Sequence, residues 1–163
     1  MEVQLRQAET HQLAEILPLV EAYHACEQIP SSAAARESAI DQLLDDRRLG
    51  GLWLIGVDAE TAGYIALCRG FSIEFNGFDA FIDEFFLLPE FRGRGVGKIV
   101  LAEIKRLAAA LDINALHLEV ARGNQPARKL YTSAGFQARD KYLLMSLPVD
   151  KQSSSDSVED SNQ

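Results

Sequence analysis

The sequence predicts a mixed α/β domain, and three observations carry that expectation. Apolar residues alternate in short runs bounded by turn residues, as strands do. Between those runs they recur every three or four residues, as helices require. The two patterns are interleaved along the chain, the order that builds a mixed sheet flanked by helices. With 163 residues the chain is long enough for one core and too short for two domains of ordinary size.

Val3, Gln4, Leu5 and Arg6 alternate like a half-buried strand. Thr10 is suited to cap a helix carrying Leu13, Ile16, Leu17, Val20 and Tyr23 at helical spacing. Pro18 inside that pattern is expected to kink or divide it. Ser31 or Ser32 caps a second helix running through Ala35, Ala39, Ile40, Leu43 and Leu44. Gly50-Gly51 marks a turn, 52–57 reads as a buried strand, 58–61 as a hairpin and 62–71 as the return strand. Asn76-Gly77 is a strong turn signal, so 80–88 becomes a central strand. Val100, Ile104, Leu107 and Leu111 give a helix from Val96 to near Asp112 with one buried face. Residues 115–120 alternate as a strand with His117 and Glu119 on one face. A short helix over 127–134 stops at Gly135, and 136–139 with 142–147 read as a closing hairpin. The expected domain is 1–148. Residues 149–163 form an acidic, serine-rich tail with little to bury, expected to be disordered.

Composition narrows the function classes. The net charge is −8, of which the tail supplies −3, and this argues against nucleic acid as the main partner. It suits a cationic small substrate. No apolar run approaches the length of a membrane span, so no membrane partner is expected. Cys26 and Cys68 stand in no metal-like or paired spacing, and reduced thiols in a cytoplasmic protein are the expectation. His11, His24 and His117 are far apart in sequence and build no visible metal cluster, so no metal is expected.

The chemistry concentrates at the end of the central strand, from Asp83 to Lys98. Pro89 stops the strand, and Gly93, Gly95 and Gly97 follow at alternate positions before the long helix. Glycines let the backbone approach a ligand closely, and the first amides of a helix lack partners of their own. A phosphate fits there, with Arg92, Arg94 and Lys98 adding charge. A P-loop is excluded because Ile99 stands where its Ser or Thr must follow Gly97-Lys98. A dinucleotide fingerprint fits poorly, since the glycines are spaced Gly-x-Gly-x-Gly and lie late in the chain.

Arg92, Gly95 and Gly97 match Arg-x-x-Gly-x-Gly, which resembles the acetyl-CoA pyrophosphate loop of the GNAT superfamily of N-acetyltransferases. A second stretch, Asn124 to Phe136, resembles that superfamily's other signature, with Asn124, Ala127, Leu130, Tyr131, Gly135 and Phe136 in place. The resemblance covers roughly residues 3–147. It implies a single-domain fold with a splayed central sheet and acetyl-CoA as co-substrate. Main-chain groups at Phe86 and Leu87 would pair with the pantetheine arm as an added strand does. The backbone from Gly93 through Arg94, Gly95, Val96 and Gly97 to Lys98 would cradle the pyrophosphate. Asn124 and Ala127 would order the pantetheine side, although Asn124 also suits a plain helix cap.

The resemblance also implies that Tyr131 protonates the leaving thiolate. An acid near the central strand would take the proton of the attacking amine. Asp83 and Glu84 are the candidates, expected to point to opposite faces, with Glu119 competing from the neighbouring strand. The acid pair before Phe85-Phe86, and Val120-Ala121 ahead of Asn124, look especially like the spermidine/spermine branch, although Arg94 departs from it. A small primary amine, a polyamine, a diamine or an amino-acid-like molecule, is therefore the expected acceptor. Acetylation of protein termini or lysines, and a non-catalytic acyl-CoA sensor, are the alternatives. Many relatives are dimers, and the closing strands would offer such an interface. A chain ending near Val149 is expected to keep full turnover, and a large loss in the same thiol-release assay would make the tail part of the site.

Overall fold

A computed structural model describes residues 1–149 and defines five strands and four α-helices among them. The tail expectation for 150–163 lies outside the described residues. The strands are β1 (Val3–Gln7), β2 (Gly50–Val57), β3 (Glu60–Ser72), β4 (Gly77–Leu87) and β5 (Ile113–His117). They lie in the sheet in chain order. The first four are antiparallel to their neighbours, and β5 runs parallel to β4. The helices are α1 (Leu13–Glu27), α2 (Ala33–Asp45), α3 (Val96–Ala110) and α4 (Gln125–Ser133).

Alternation in the strands divides the core between two faces. Trp53, Ile55, Ile65 and Leu67 pack with Val100, Leu101 and Ile104 of α3. Leu52, Leu54, Tyr64 and Ala66 pack with Ile16, Val20, Ile40 and Leu44 of α1 and α2. Period two in the strands and period three to four in the helices thus meet on each side of one sheet.

Several expectations hold in detail. Ser32 caps α2, its hydroxyl accepting from the Ala35 amide at 3.1 Å. Four expectations are corrected. Thr10 does not cap α1, because it lies inside a short 3-10 turn, Thr10–Gln12, and Gln12 takes the N-cap position. Pro18 does not divide α1, because it lies in the second turn and removes one ladder bond while Ile16, Leu19 and Val20 hold the helix to the core. β5 ends at His117, so Glu119 is not on a strand. The closing hairpin is absent among the described residues, and Tyr142, Leu143, Leu144, Met145 and Leu147 are exposed. Strand propensity reports fit to a half-buried surface, and here no neighbouring strand supplies one.

β4 carries the irregularity that shapes the site. Leu67 faces Ile82 and Ala66 faces Glu84, which leaves Asp83 without a partner on β3. This is a β-bulge of one residue. Before it, Ala80 and Ile82 face α3; after it, Phe85 and Leu87 do, and Phe86 turns to the α1 side. In a regular strand Glu84 would share the face of Ile82. The bulge hands it to the other face.

The β2–β3 hairpin turns on Asp58 and Ala59, with φ of 48° and 74°. Such turns favour glycine at the second position, and an alanine there is held in a left-handed conformation. Ala59→Gly is expected to raise stability by about 1 kcal/mol, read as a higher midpoint in urea. An unchanged or lower midpoint would show that the turn carries no strain.

Candidate active site

A cleft of about 640 Å³ opens between the C-terminal end of β4, the loop leading into α3, and α4. Two smaller hollows, of about 130 and 120 Å³, lie elsewhere and involve none of the glycine loop. The cleft exists because β4 and β5 part. Their ladder runs only from Phe78↔Ile113 to Phe81↔His117, and β4 continues to Leu87 without a strand partner on that side.

The floor is the glycine loop. Gly93 and Gly95 have φ of 70° and 83°, values that side-chain-bearing residues rarely adopt. No side chain caps α3, so the amides of its first turn stay available to an anion. Gly97 serves a different purpose. A Cβ there would lie 3.0 Å from Leu130 Cδ2, so the glycine lets α3 approach α4 closely. Val96 is buried in the core and can offer only its backbone to a ligand. Lys98 lines the cleft.

Two arginines take up more local positions. Arg92 Nε donates to the Leu87 carbonyl at 2.7 Å, and its guanidinium stands 5.4 Å from the Phe86 ring centre. One main-chain acceptor at the β4 terminus is thereby occupied by the protein itself. Arg94 lies 5.8 Å from the ring centre of Phe91 and is not among the residues lining the cleft.

The opposite wall comes from α4. Asn124 is its N-cap, with Oδ1 accepting from the Ala127 amide at 3.2 Å, and both residues line the cleft. Tyr131 also lines it, its ring edge-on to Phe136 with centres 5.9 Å apart. Burial, and then the charge of Glu27, hold its phenol above the ordinary tyrosine range. It therefore keeps its proton through neutral pH. Glu119, displaced from β5, also lines this cleft and is exposed.

The third wall is α1, in the helical arm where the family resemblance places the acceptor, although its residues alone did not mark a site. Tyr23, Cys26 and Glu27 line the cleft there. The Tyr23 phenol is pushed up to about 12 by burial, with Glu27 and Glu84 adding to the effect. Behind Tyr23, Glu84 makes two contacts. His24 Nε2 lies 2.5 Å from Oε1, and the Tyr64 hydroxyl donates to Oε2 at 2.6 Å. Asp83, at the bulge, is exposed; partial burial and then the Glu84 charge raise its carboxyl, while His24 opposes the rise. The two carboxylates are thus unlike: one is bonded at both oxygens, and the other faces solvent. The spacing of Tyr23 and Glu27, one helical turn apart, was the available signal for the α1 wall. No linear signal joined His24 to Glu84.

Parted strands, a glycine loop with free amides and a protonated phenol thus meet around one cleft. Comparison with known proteins agrees. The acetyltransferase (GNAT) family pattern matches residues 16–136, and the chain belongs to that family. Residues of the chain are 44% identical to the uncharacterized N-acetyltransferase YycN of Bacillus subtilis (strain 168) over 69 residues, 42% of this chain and 44% of that protein. They are 27% identical to the human spermidine/spermine N(1)-acetyltransferase-like protein 1 over 141 residues, 81% of this chain. The chain spans only 20% of that human protein, so it covers less than half of either relative. Among solved structures, an integron cassette protein from the mobile metagenome of Cole Harbour Salt Marsh superposes with a TM-score of 0.79 at 30% identity, covering 90% of this chain and 91% of that one. A predicted acetyltransferase from Clostridium acetobutylicum, solved with acetyl-CoA, superposes with a TM-score of 0.71 at 16% identity, covering 89% and 96% of the two chains, and shares the fold.

Proposed function

We propose that the protein is an acetyl-CoA-dependent N-acetyltransferase acting on a small cationic amine. The observation that carries this reading is the continuity of one cleft from the glycine loop, past the unpaired edge of β4, to Tyr131. Pyrophosphate would sit on the amides from Gly93 to Lys98. The pantetheine arm would lie in the gap between β4 and β5, bonding to main chain near Phe86. Asn124 and Ala127 would bound its other side. The Clostridium protein, which shares this fold, was solved with acetyl-CoA, and that supports acetyl-CoA as the co-substrate here.

The reaction asks little of the protein beyond protons and position. An alkylammonium must lose a proton before its nitrogen can attack. That proton passes to the Asp83–Glu84 side, through water, since neither carboxylate lines the cleft itself. The neutral nitrogen attacks the thioester carbonyl carbon and the carbon–sulfur bond breaks. The nitrogen loses its second proton to solvent, and Tyr131 gives its proton to the departing thiolate. Amide, free thiol and one net proton result.

Charge favours a cationic acceptor. Glu27 and Glu119 line the cleft, Glu84 lies behind its α1 wall against His24, and the exposed Asp83 is near enough to act on Tyr23. The resemblance to a spermidine/spermine-like protein points the same way without fixing the amine. A dimer is compatible with this reading and is not required by it.

Thiol release from acetyl-CoA, measured against polyamines, diamines, amino acids, aminoglycosides and peptide N-termini, is expected to single out small cationic amines. Tyr131→Phe is expected to lower kcat by about a hundredfold while acetyl-CoA still raises the melting temperature. Thermal stabilisation by acetyl-CoA with no thiol released from any amine would instead make this a binding domain.

The pH profile has a predicted shape. A raised Asp83 loses its carboxylate form as pH falls, so the acid limb of kcat/KM lies above the ordinary aspartate value of about 3.9. A raised Tyr131 loses its proton only above the ordinary tyrosine value of about 10, which sets any basic limb from this group there. An identical acid limb in Asp83→Asn would remove Asp83 from the proton path.

A further inference from the structure

The buried polar cluster behind the α1 wall is more elaborate than the chemistry above requires. Glu84 is 17% exposed in its side chain and His24 12%, and Tyr64 is fully buried. An ionised carboxylate only accepts hydrogen bonds, so His24 Nε2–H and the Tyr64 hydroxyl both donate to it. Every oxygen of the Glu84 carboxylate is thus held from the protein side. His24 Nδ1 is buried and has no hydrogen-bond partner among the described residues. That arrangement is costly, because buried polar groups are normally paired. Packing alone does not call for it, since an apolar residue at this bulge would fill the same space without the penalty.

The cluster lies one aromatic ring from the cleft. Tyr23 and Phe86 line the cleft. The Tyr23 ring centre is 6.0 Å from that of His24 and 6.4 Å from that of Tyr64, and the Phe86 and Tyr64 centres are 6.3 Å apart. The Glu84 charge also reaches this wall, where it contributes to the raised phenol of Tyr23. Glu27 and Asp83 are the other carboxylates acting on the same ring.

We propose that His24 is a positioning residue for the acceptor: with Tyr64 it clamps Glu84 as a fixed anion behind the cleft wall, and that anion selects amines carrying positive charge. A carboxylate with both oxygens engaged is held in one rotamer, which fixes the place from which its charge acts on the cleft wall. The exposed Asp83 is left as the carboxylate free to exchange protons with water. This inference rests on reading the cleft as an acceptor site.

The test is calorimetric titration of putrescine, a small diamine, into protein saturated with coenzyme A. Wild type, His24→Ala, His24→Gln and Tyr64→Phe are compared, with thiol release from acetyl-CoA measured in parallel. Putrescine is expected to bind His24→Ala about tenfold more weakly than wild type, the size of a screened charge–charge interaction across the wall once Glu84 is no longer held in place. Coenzyme A affinity is expected to stay the same. His24→Gln, whose side-chain amide donates from near the position of Nε2, is expected to recover most of the affinity. In turnover the loss is expected mainly in the acceptor KM and little in kcat. Equal putrescine affinity in wild type and His24→Ala overturns the proposal, as does a wild type that binds no putrescine or a glutamine variant no better than alanine. If His24→Ala fails to bind coenzyme A, Tyr64→Phe, which removes a single oxygen, decides by the same criteria. Putrescine binding that depends on His24, in a protein that releases no thiol, supports this site and overturns the transferase reading instead.

Discussion

One extra residue in β4 determines how the two sides of the site are furnished. Because Asp83 has no partner on β3, the alternation of β4 is reset halfway along the strand. Phe85 and Leu87 then continue the face that Ala80 and Ile82 began, and the α3 core stays sealed. Glu84 is freed for the α1 face, where His24 and Tyr64 meet it. A regular strand would have driven Glu84 toward the apolar face of Ile82, Val100 and Ile104, where nothing polar waits. The bulge therefore spares the core a buried charge and furnishes the cleft wall with one.

The second constraint is the parting of β4 and β5. Four residue pairs join the strands, and then each goes its own way. An unpaired strand edge inside a protein is ordinarily a liability, open to pairing with another chain. Here it faces a cleft bounded by α4 and the glycine loop, so an extended ligand with amide groups can use it. Arg92 already occupies the Leu87 carbonyl, which limits where such a ligand can bond and fixes the loop to the strand end. The buried cluster adds to the cost of the site: an unpaired buried ring nitrogen such as His24 Nδ1 forfeits on the order of 1–3 kcal/mol.

Much of this was legible in the sequence. Period two and period three to four located all nine main elements, and the family resemblance carried by Arg92, Gly95, Gly97, Asn124 and Tyr131 pointed to residues that line the cleft. What escaped was whatever depends on register. Alternation placed Asp83 and Glu84 on opposite faces, but no residue type announces a bulge, so the meeting of Glu84 with His24, sixty residues away, was invisible. Glu119 read as part of a strand because Leu118 and Val120 alternate with it, yet β5 stops at His117 once β4 has turned away. Residues 142–147 read as a strand from composition alone, and composition does not supply a partner. Tyr23 read as one of the apolar positions of its helix, and only the fold, which sets α1 across the cleft from α4, brings Tyr23 and Glu27 to the site.

The account stands on the cleft being the seat of the thioester. A crystal structure of the protein with acetyl-CoA tests this most directly. The account predicts pyrophosphate on the amides from Gly93 to Lys98, the pantetheine arm between β4 and β5, and the sulfur within about 3.5 Å of the Tyr131 hydroxyl. Acetyl-CoA bound elsewhere, or a sulfur directed away from Tyr131 with another acid beside it, would contradict it.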